Sequence, residues 1–305
     1  MKVYPFVINE NWICDRIAEE WIKYNPDITV NDPNEADVLW VLAAWGWTQI
    51  DHKLLKEKKV VLTIHHIVPH KFDKQKYDEF KFRDQFVDAY HTPNKKTALR
   101  VRNLTDKPIY VIPYWYNEEL WYADEKSRCR DTLKLPEKKF IVGSFQRDTE
   151  GNTDLPKLEK GPDLFCDFLE KIKDKKDLHV LLGGWRRGYI INRLKEMNID
   201  YTFFEKAPID KIRDMYNSCD LYVVASRFEG GPQAILEASA TKVPIISRDV
   251  GIATEVLSPY CILDIPLQAD LPSDRETEFN FNNVKKFEVK THKENYLSMF
   301  KGILE

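Results

Sequence analysis

The sequence predicts an α/β protein of two doubly wound parallel sheets, and three observations support this. Strand-like and helix-like segments alternate along most of the chain, the pattern of parallel strands joined by crossover helices. A length of 305 residues exceeds what one core usually holds and favours two domains. Composition also changes midway: seven of the eight tryptophans lie at or before Trp121, whereas ten of the eleven glycines lie at or after Gly143.

In the first half, residues 3–9 read as a strand, and residues 14–24 carry Ile17, Trp21 and Tyr24 at helical spacing. Residues 36–43 (ADVLWVLA) and 59–65 (KVVLTIH) are apolar, β-branched runs suited to buried parallel strands. Residues 108–113 (PIYVIP) form another strand, with a proline at each end. In the second half, strands are expected at 140–144, 179–182, 201–204, 221–225 and 243–247. Helices are expected at 162–173, 189–197, 209–218 and 233–240. The segment 114–136 is charged, aromatic and without period, and it marks the boundary. The expected domains are 1–115 and 116–265. The remainder, 266–305, reads as a tail, patternless to about Lys286. Its end is a closing helix with Tyr296, Met299, Phe300 and Ile303 on one face, packed back across the domains.

Several classes are disfavoured. A net charge of −3 gives no electrostatic footprint for nucleic acid. No apolar run approaches the roughly 20 residues that cross a bilayer. MKVYPFVINENW lacks the apolar core of a signal peptide, so the cytoplasm is the expected compartment. Five cysteines, odd in number and scattered, without Cys-x-x-Cys, argue against disulfides or structural zinc. They are expected to be reduced and buried.

The chemistry concentrates in residues 226–237, SRFEGGPQAILE. This segment follows an expected buried strand and enters a helix, with Pro232 suited to the first turn. Free N–H groups there, with Gly230 and Gly231 permitting close approach, make a cradle for an anion or sugar hydroxyls. Glu229 lies in the loop at the carboxyl end of the strand, where open α/β sheets bind ligands. Glu237 lies one turn into the helix, on the side set by Gln233.

With Glu229 and Glu237 bracketing seven residues, this segment resembles the signature of family-4-type retaining glycosyltransferases of the GT-B fold. The resemblance extends over residues 108–256. It includes IPYWYNEELW at 112–121, IVGSFQR at 141–147, the pair Lys160-Gly161, NSCDLYVVAS at 217–226 and EASATKVPIISRDVGIATE at 237–255. It implies two Rossmann-like domains facing across a cleft. It also implies a hexosyltransferase-like enzyme that moves a sugar from a nucleoside diphosphate, UDP or GDP favoured, to a hydroxyl acceptor with retention. By position, Arg147 and Lys160 would hold the donor diphosphate and Glu237 the ribose. Glu229 would hold the donor sugar, with backbone N–H groups around Gly230, Gly231, Pro232 and Gln233. Gly183 and Gly184 would let the donor approach the backbone, and the loop around Ala207 would read the base. No Asp-x-Asp occurs, so no metal and no cofactor is expected, and the two cations would stabilise the leaving diphosphate.

Three departures from the family pattern stand out. Arg147 and Lys160 are separated by a long segment, DTEGNTDLPKLE, in which Lys157 is a substitute candidate. Thr241 stands where glycine is common. The first strand is followed by Asn9, Glu10, Asn11 and Trp12 instead of a glycine-rich loop, so Glu10, Asn11 and Trp12 are acceptor-side candidates.

His65 and His66 follow the strand VVLTI directly. The resemblance gives His65 a contact with the transferred sugar, and His66 is an acceptor-side candidate; the plain alternative is a polar strand cap. Trp12, Trp45, Trp47 and Trp115 could offer stacking faces to an acceptor sugar, whereas Trp21 and Trp40 read as core. The acceptor could be a carbohydrate, a lipid-linked glycan or a protein, and lipid-linked acceptors would bring the chain to the inner membrane surface. The rival readings are a nucleotide-sugar-binding protein without turnover and a sugar-nucleotide epimerase on the same fold.

Overall fold

The computed structural model describes residues 1–10, 13–151, 153–268 and 270–305. Asn11 and Trp12 lie outside the described residues. The chain divides into two compact units, residues 1–115 with 289–305, and residues 116–288. The segment read as a tail is therefore split: 266–288 belong to the second unit and 289–305 to the first.

The first unit runs β1 (Val3–Phe6), α1 (Ile13–Tyr24), β2 (Val38–Val41), α2 (His52–Glu57), β3 (Lys59–Thr63), α3 (Lys74–Asp84), β4 (Ala89–Thr92), α4 (Lys95–Arg102) and β5 (Ile109–Val111). Its strands are parallel in the order β1-β2-β3-β4-β5. Val3 also forms a parallel bridge to Thr29, on the far side of β1 from β2. The chain thus leaves β1 in one direction, returns at Thr29, and crosses to β2 on the other side. That reversal is a topological switch point. It explains why α1 covers one face, with Ile17 and Trp21 packed on Val38 and Trp40, while α2, α3 and α4 cover the other through Leu55, Phe80 and Val101.

The second unit runs α5 (Lys126–Thr132), β6 (Phe140–Phe145), α6 (Pro162–Ile172), β7 (Leu178–Gly184), α7 (Gly188–Glu196), β8 (Asp200–Glu205), α8 (Ile209–Ser218), β9 (Leu221–Val224), α9 (Gln233–Ala240), β10 (Ile245–Ser247), α10 (Ala253–Val256) and α11 (Asp274–Val284). Its sheet is parallel with order β10-β9-β6-β7-β8. The switch point lies where β6 meets β9. The helices α6 and α7 pack on one face through Phe165, Phe168, Ile190 and Leu194, and α8 and α9 pack on the other through Met215, Tyr216, Ile235 and Leu236.

The last helix, α12 (Val289–Gly302), belongs to the first unit. It buries Tyr296, Met299 and Phe300 against Trp21, Trp40 and Trp115. Trp21 and Trp40 are core, as read. Trp115, offered from the sequence as a stacking face, is only 1% exposed and donates Nε1–H to Glu20 Oε2 at 2.7 Å. Buried in this cluster, Trp115 offers no face to an acceptor sugar. All five cysteines are free and buried. Among the described residues no helix is long and apolar enough to cross a membrane.

Candidate functional site

Open α/β sheets present ligand crevices at the carboxyl ends of strands flanking a switch point. In the second unit those strands are β6 and β9, and the residues singled out by sequence gather there. After β9, Ser226 donates its hydroxyl to Glu229 Oε1 at 2.8 Å. Lys160 Nζ, 69 positions away in sequence, donates to both Glu229 oxygens at 2.7 and 2.9 Å. After β6, Gln146 Nε2 donates to the Lys160 carbonyl at 2.9 Å. The pair is mostly enclosed, with side chains 22% and 11% exposed for Lys160 and Glu229. A carboxylate accepting charge-assisted bonds from an ammonium and a hydroxyl is fixed in orientation.

Backbone fit brings these loops together. Gly161 has φ +62°, and a Cβ there would lie 2.0 Å from the Ala225 carbonyl oxygen. The loop after β9 therefore rests directly on the start of α6. Arg227 reinforces that contact with two bonds to Asp163, at 2.7 and 2.6 Å. Gly230 is buried and Gly231, Pro232 and Gln233 are half-buried. Pro232 is the residue before α9 and not its first turn.

Arg147 stands half-buried two residues beyond β6. The segment carrying it is anchored by Arg187, which the sequence reading left unassigned. Fully buried, Arg187 donates Nε–H to Asp148 Oδ2 at 2.9 Å, and its Nη1 reaches the carbonyls of Ser144 at 2.9 Å and Gly183 at 3.0 Å. One guanidinium thus ties the ends of β6 and β7. Burial pushes the Asp148 carboxyl up to about 6, with Arg187 pulling the other way. The sequence offered one hint, the arginine pair at 186 and 187 shortly after a buried strand.

Gly183 and Gly184 end β7. A Cβ on Gly184, at φ +102°, would lie 2.8 Å from the Gln146 carbonyl oxygen. The chain itself requires this glycine, before any ligand approaches. Next to it Trp185, also missed from sequence, carries the Arg186 guanidinium 3.8 Å from its ring centroid and Lys206 Nζ at 4.8 Å. Ala207 follows on the loop after β8, partly buried against the core. Glu237 is only 6% exposed, and its Oε2 accepts the Tyr216 hydroxyl at 2.9 Å.

In the first unit the switch point lies at the carboxyl ends of β1 and β2. There Trp45, 54% exposed, donates Nε1–H to Glu10 Oε2 at 3.2 Å, and its ring lies 5.7 Å from that of His65. His65 Nε2 meets the Leu42 carbonyl at 2.8 Å, so it carries the proton, and Nδ1 accepts the Tyr114 hydroxyl. Both ring nitrogens are engaged inside the unit. Burial lowers the His65 pKa to about 4, so the ring is neutral. The contact to a sugar expected of His65 would require giving up one of these bonds. His66 is exposed.

One group away from these loops could be read as metal ligands: Asp124, Cys129 and Asp214. Arg128 donates to Asp124 and Arg213 to Asp214 at 3.1 Å, and burial pushes the Cys129 thiol up to about 11. It is an ion-pair network around a protonated thiol.

Residues 154–261 match the family described as "Glycosyl transferases group 1". The chain is similar to the lipopolysaccharide core biosynthesis mannosyltransferase LpsB of Rhizobium meliloti, with 27% identity over 58% of this chain and 50% of that one. It is also similar to a putative teichuronic acid biosynthesis glycosyltransferase, TuaC, of Bacillus subtilis, with 23% identity over 75% of this chain and 57% of that one. The chain therefore spans about half the length of these curated relatives. Among solved structures, Anabaena HepE in complex with UDP and glucose superposes with a TM-score of 0.77 over 98% of this chain and 99% of that one, at 14% identity. The fold is GT-B, and the likeness to GT-B glycosyltransferases read from the motifs is shared by these comparisons.

Proposed function

We propose that this chain is a glycosyltransferase that moves a hexose from a nucleoside diphosphate to a hydroxyl of a growing glycan. Retention of configuration and independence of metal are part of the proposal. The observation that carries it is the convergence of Lys160, Glu229 and Ser226 at the β6/β9 switch point, beside Arg147. The UDP and glucose bound in the HepE complex support a nucleotide-sugar donor. The lipopolysaccharide and teichuronic acid of the relatives' names support a carbohydrate or lipid-linked acceptor.

In this reading the diphosphate sits against Arg147 and Lys160, whose charges balance the negative charge that grows as the glycosidic bond to phosphate breaks. Lys160 fixes the orientation of Glu229, and Glu229 with the N–H groups of Gly230, Gly231 and Gln233 orients the sugar hydroxyls. Glu237 on α9 meets the ribose. The base lies at the ends of β7 and β8, near Trp185 and Ala207. The departing phosphate takes the acceptor proton, so no separate base is assigned.

The test is release of nucleoside diphosphate from UDP- and GDP-hexoses by wild type, Glu229→Ala and Lys160→Ala. Each variant should lose about a hundredfold or more in turnover, and wild-type rates in both would refute the assignment. A second reading, a binding protein without turnover, is favoured by the engaged nitrogens of His65. It predicts donor binding without release.

A further inference from the structure

The two glutamates of the site are held differently. Glu229 accepts from the Lys160 ammonium and the Ser226 hydroxyl, whereas Glu237 Oε2 accepts from a phenol, the Tyr216 hydroxyl, at 2.9 Å. Tyr216 lies in the last turn of α8 and is fully buried. Three rings enclose it, with centroids at 4.8 Å for Phe145, 5.0 Å for Tyr222 and 5.8 Å for Trp121. A ring so closely packed cannot swing, so its hydroxyl stands at a fixed point beside the carboxylate. Behind it, the buried Tyr222 of β9 is hydrogen-bonded to Tyr216 through its side chain. The Tyr222 hydroxyl oxygen accepts the backbone N–H of Phe145, the last residue of β6, at 3.0 Å. Each bond has a direction. The Phe145 N–H can only donate, and Tyr216 gives its single proton to Glu237, so Tyr222 donates to Tyr216. The chain runs from the end of β6, two residues before Arg147, through two phenols to the carboxylate on α9.

We propose that Tyr216 is a positioning residue for the donor ribose: with Tyr222 it aims the Glu237 carboxylate, and it thereby sets a preference for ribose over deoxyribose donors. This rests on the ribose assignment of Glu237 given above. Burial and the charge of Glu237 push the Tyr216 pKa well above its ordinary value, so the phenol keeps its proton and stays a donor. Burial does the same at Tyr222. A carboxylate has about four acceptor positions, so the bond from Tyr216 fixes the group without closing it to sugar hydroxyls. Successive hydroxyls polarise one another along such a chain, which strengthens the last bond. Because the chain starts on the β6 backbone, the strand end that carries the Arg147 segment also sets the angle of the Glu237 carboxylate.

The test is calorimetric titration of UDP, GDP and their 2′,3′-dideoxy counterparts into wild type, Tyr216→Phe, Glu237→Gln and the double variant, with melting curves for each. Tyr216→Phe keeps the ring and loses only the hydroxyl. It should weaken the ribonucleotide by about tenfold and leave the dideoxynucleotide unchanged, and it should add nothing in the Glu237→Gln background. Equal weakening of both nucleotides would make Tyr216 a packing residue and overturn the inference. Wild-type affinity in Tyr216→Phe, with a loss in Glu237→Gln, overturns it and leaves the ribose assignment standing. No loss in Glu237→Gln, or no binding to wild type, overturns both. Should Tyr216→Phe melt below the titration temperature, Tyr222→Phe, which keeps the Tyr216 hydroxyl, decides by the same comparison.

Discussion

Replacing Gly161 by alanine tests whether the two loops of the second unit rest on each other as described. The residue has φ +62°, and its new Cβ would lie 2.0 Å from the Ala225 oxygen and 2.7 Å from the Ala225 carbon. Ordinary contact needs about 3.5 Å, so the loop after β9 must retreat by more than an ångström. The left-handed backbone costs an alanine about 1–2 kcal/mol, and forced overpacking about 1–3 kcal/mol more. The second unit should lose about 2–5 kcal/mol, a fall of roughly 5–15 °C in its melting temperature. Gly151 is the control. It has φ +52° but open space around its Cβ, so its alanine variant should lose about 1 kcal/mol. Calorimetric melting of both variants decides the matter. The Gly161 variant should also bind UDP more weakly, because the retreat separates Glu229 from Lys160. A Gly161 variant no less stable than the Gly151 variant would refute the close approach and the site geometry built on it.

Other expectations follow from the same structure. Burial holds His65 down to about 4 and His91 to about 3, against an ordinary 6.5. Depressed folded values mean the stability is full above pH 6.5 and is lost as pH falls from 6.5 through 4 and 3, by about 3 kcal/mol for His65 and about 5 kcal/mol for His91 in full. Urea midpoints at pH 7 and 4.5 should differ accordingly, and an unchanged midpoint would contradict the burial of both rings. Arg187→Met strands the buried Asp148 charge and should cost about 3–5 kcal/mol. Adding Asp148→Leu should recover stability but not donor affinity; recovery of both would show that the pair does not set the Arg147 segment. Trp45→Ala should raise the acceptor KM and leave nucleotide affinity unchanged, and the reverse pattern would remove Trp45 from the acceptor side.

Much of the fold was legible because it rests on local apolar runs. The strands at residues 38–41 and 59–63 are continuous buried runs, and the closing helix shows Tyr296, Met299 and Phe300 at helical spacing. The strand β4 escaped notice because AYHT carries two polar residues. They are buried by partners from elsewhere: His91 bonds Thr63 at 3.0 Å and the Ile112 carbonyl at 2.8 Å. The helix α11 escaped because its periodicity is weak, although its Ser273–Glu276 capping box was open to view. At the site, the glutamates and glycines of residues 226–237 announce a loop. Nothing local announces that Lys160 will pair with Glu229, that Arg187 will be buried beneath the Arg147 segment, or that both nitrogens of His65 will be taken. Those depend on which strand ends the topology brings together.

The most direct test is calorimetric titration of UDP and GDP into wild type and Lys160→Gln, each with and without EDTA. The account predicts that one nucleotide binds wild type at a single site, that chelation leaves the affinity unchanged, and that Lys160→Gln removes most of it. Absence of binding at millimolar nucleotide, or binding that Lys160→Gln leaves intact, would contradict a donor site at the β6/β9 switch point.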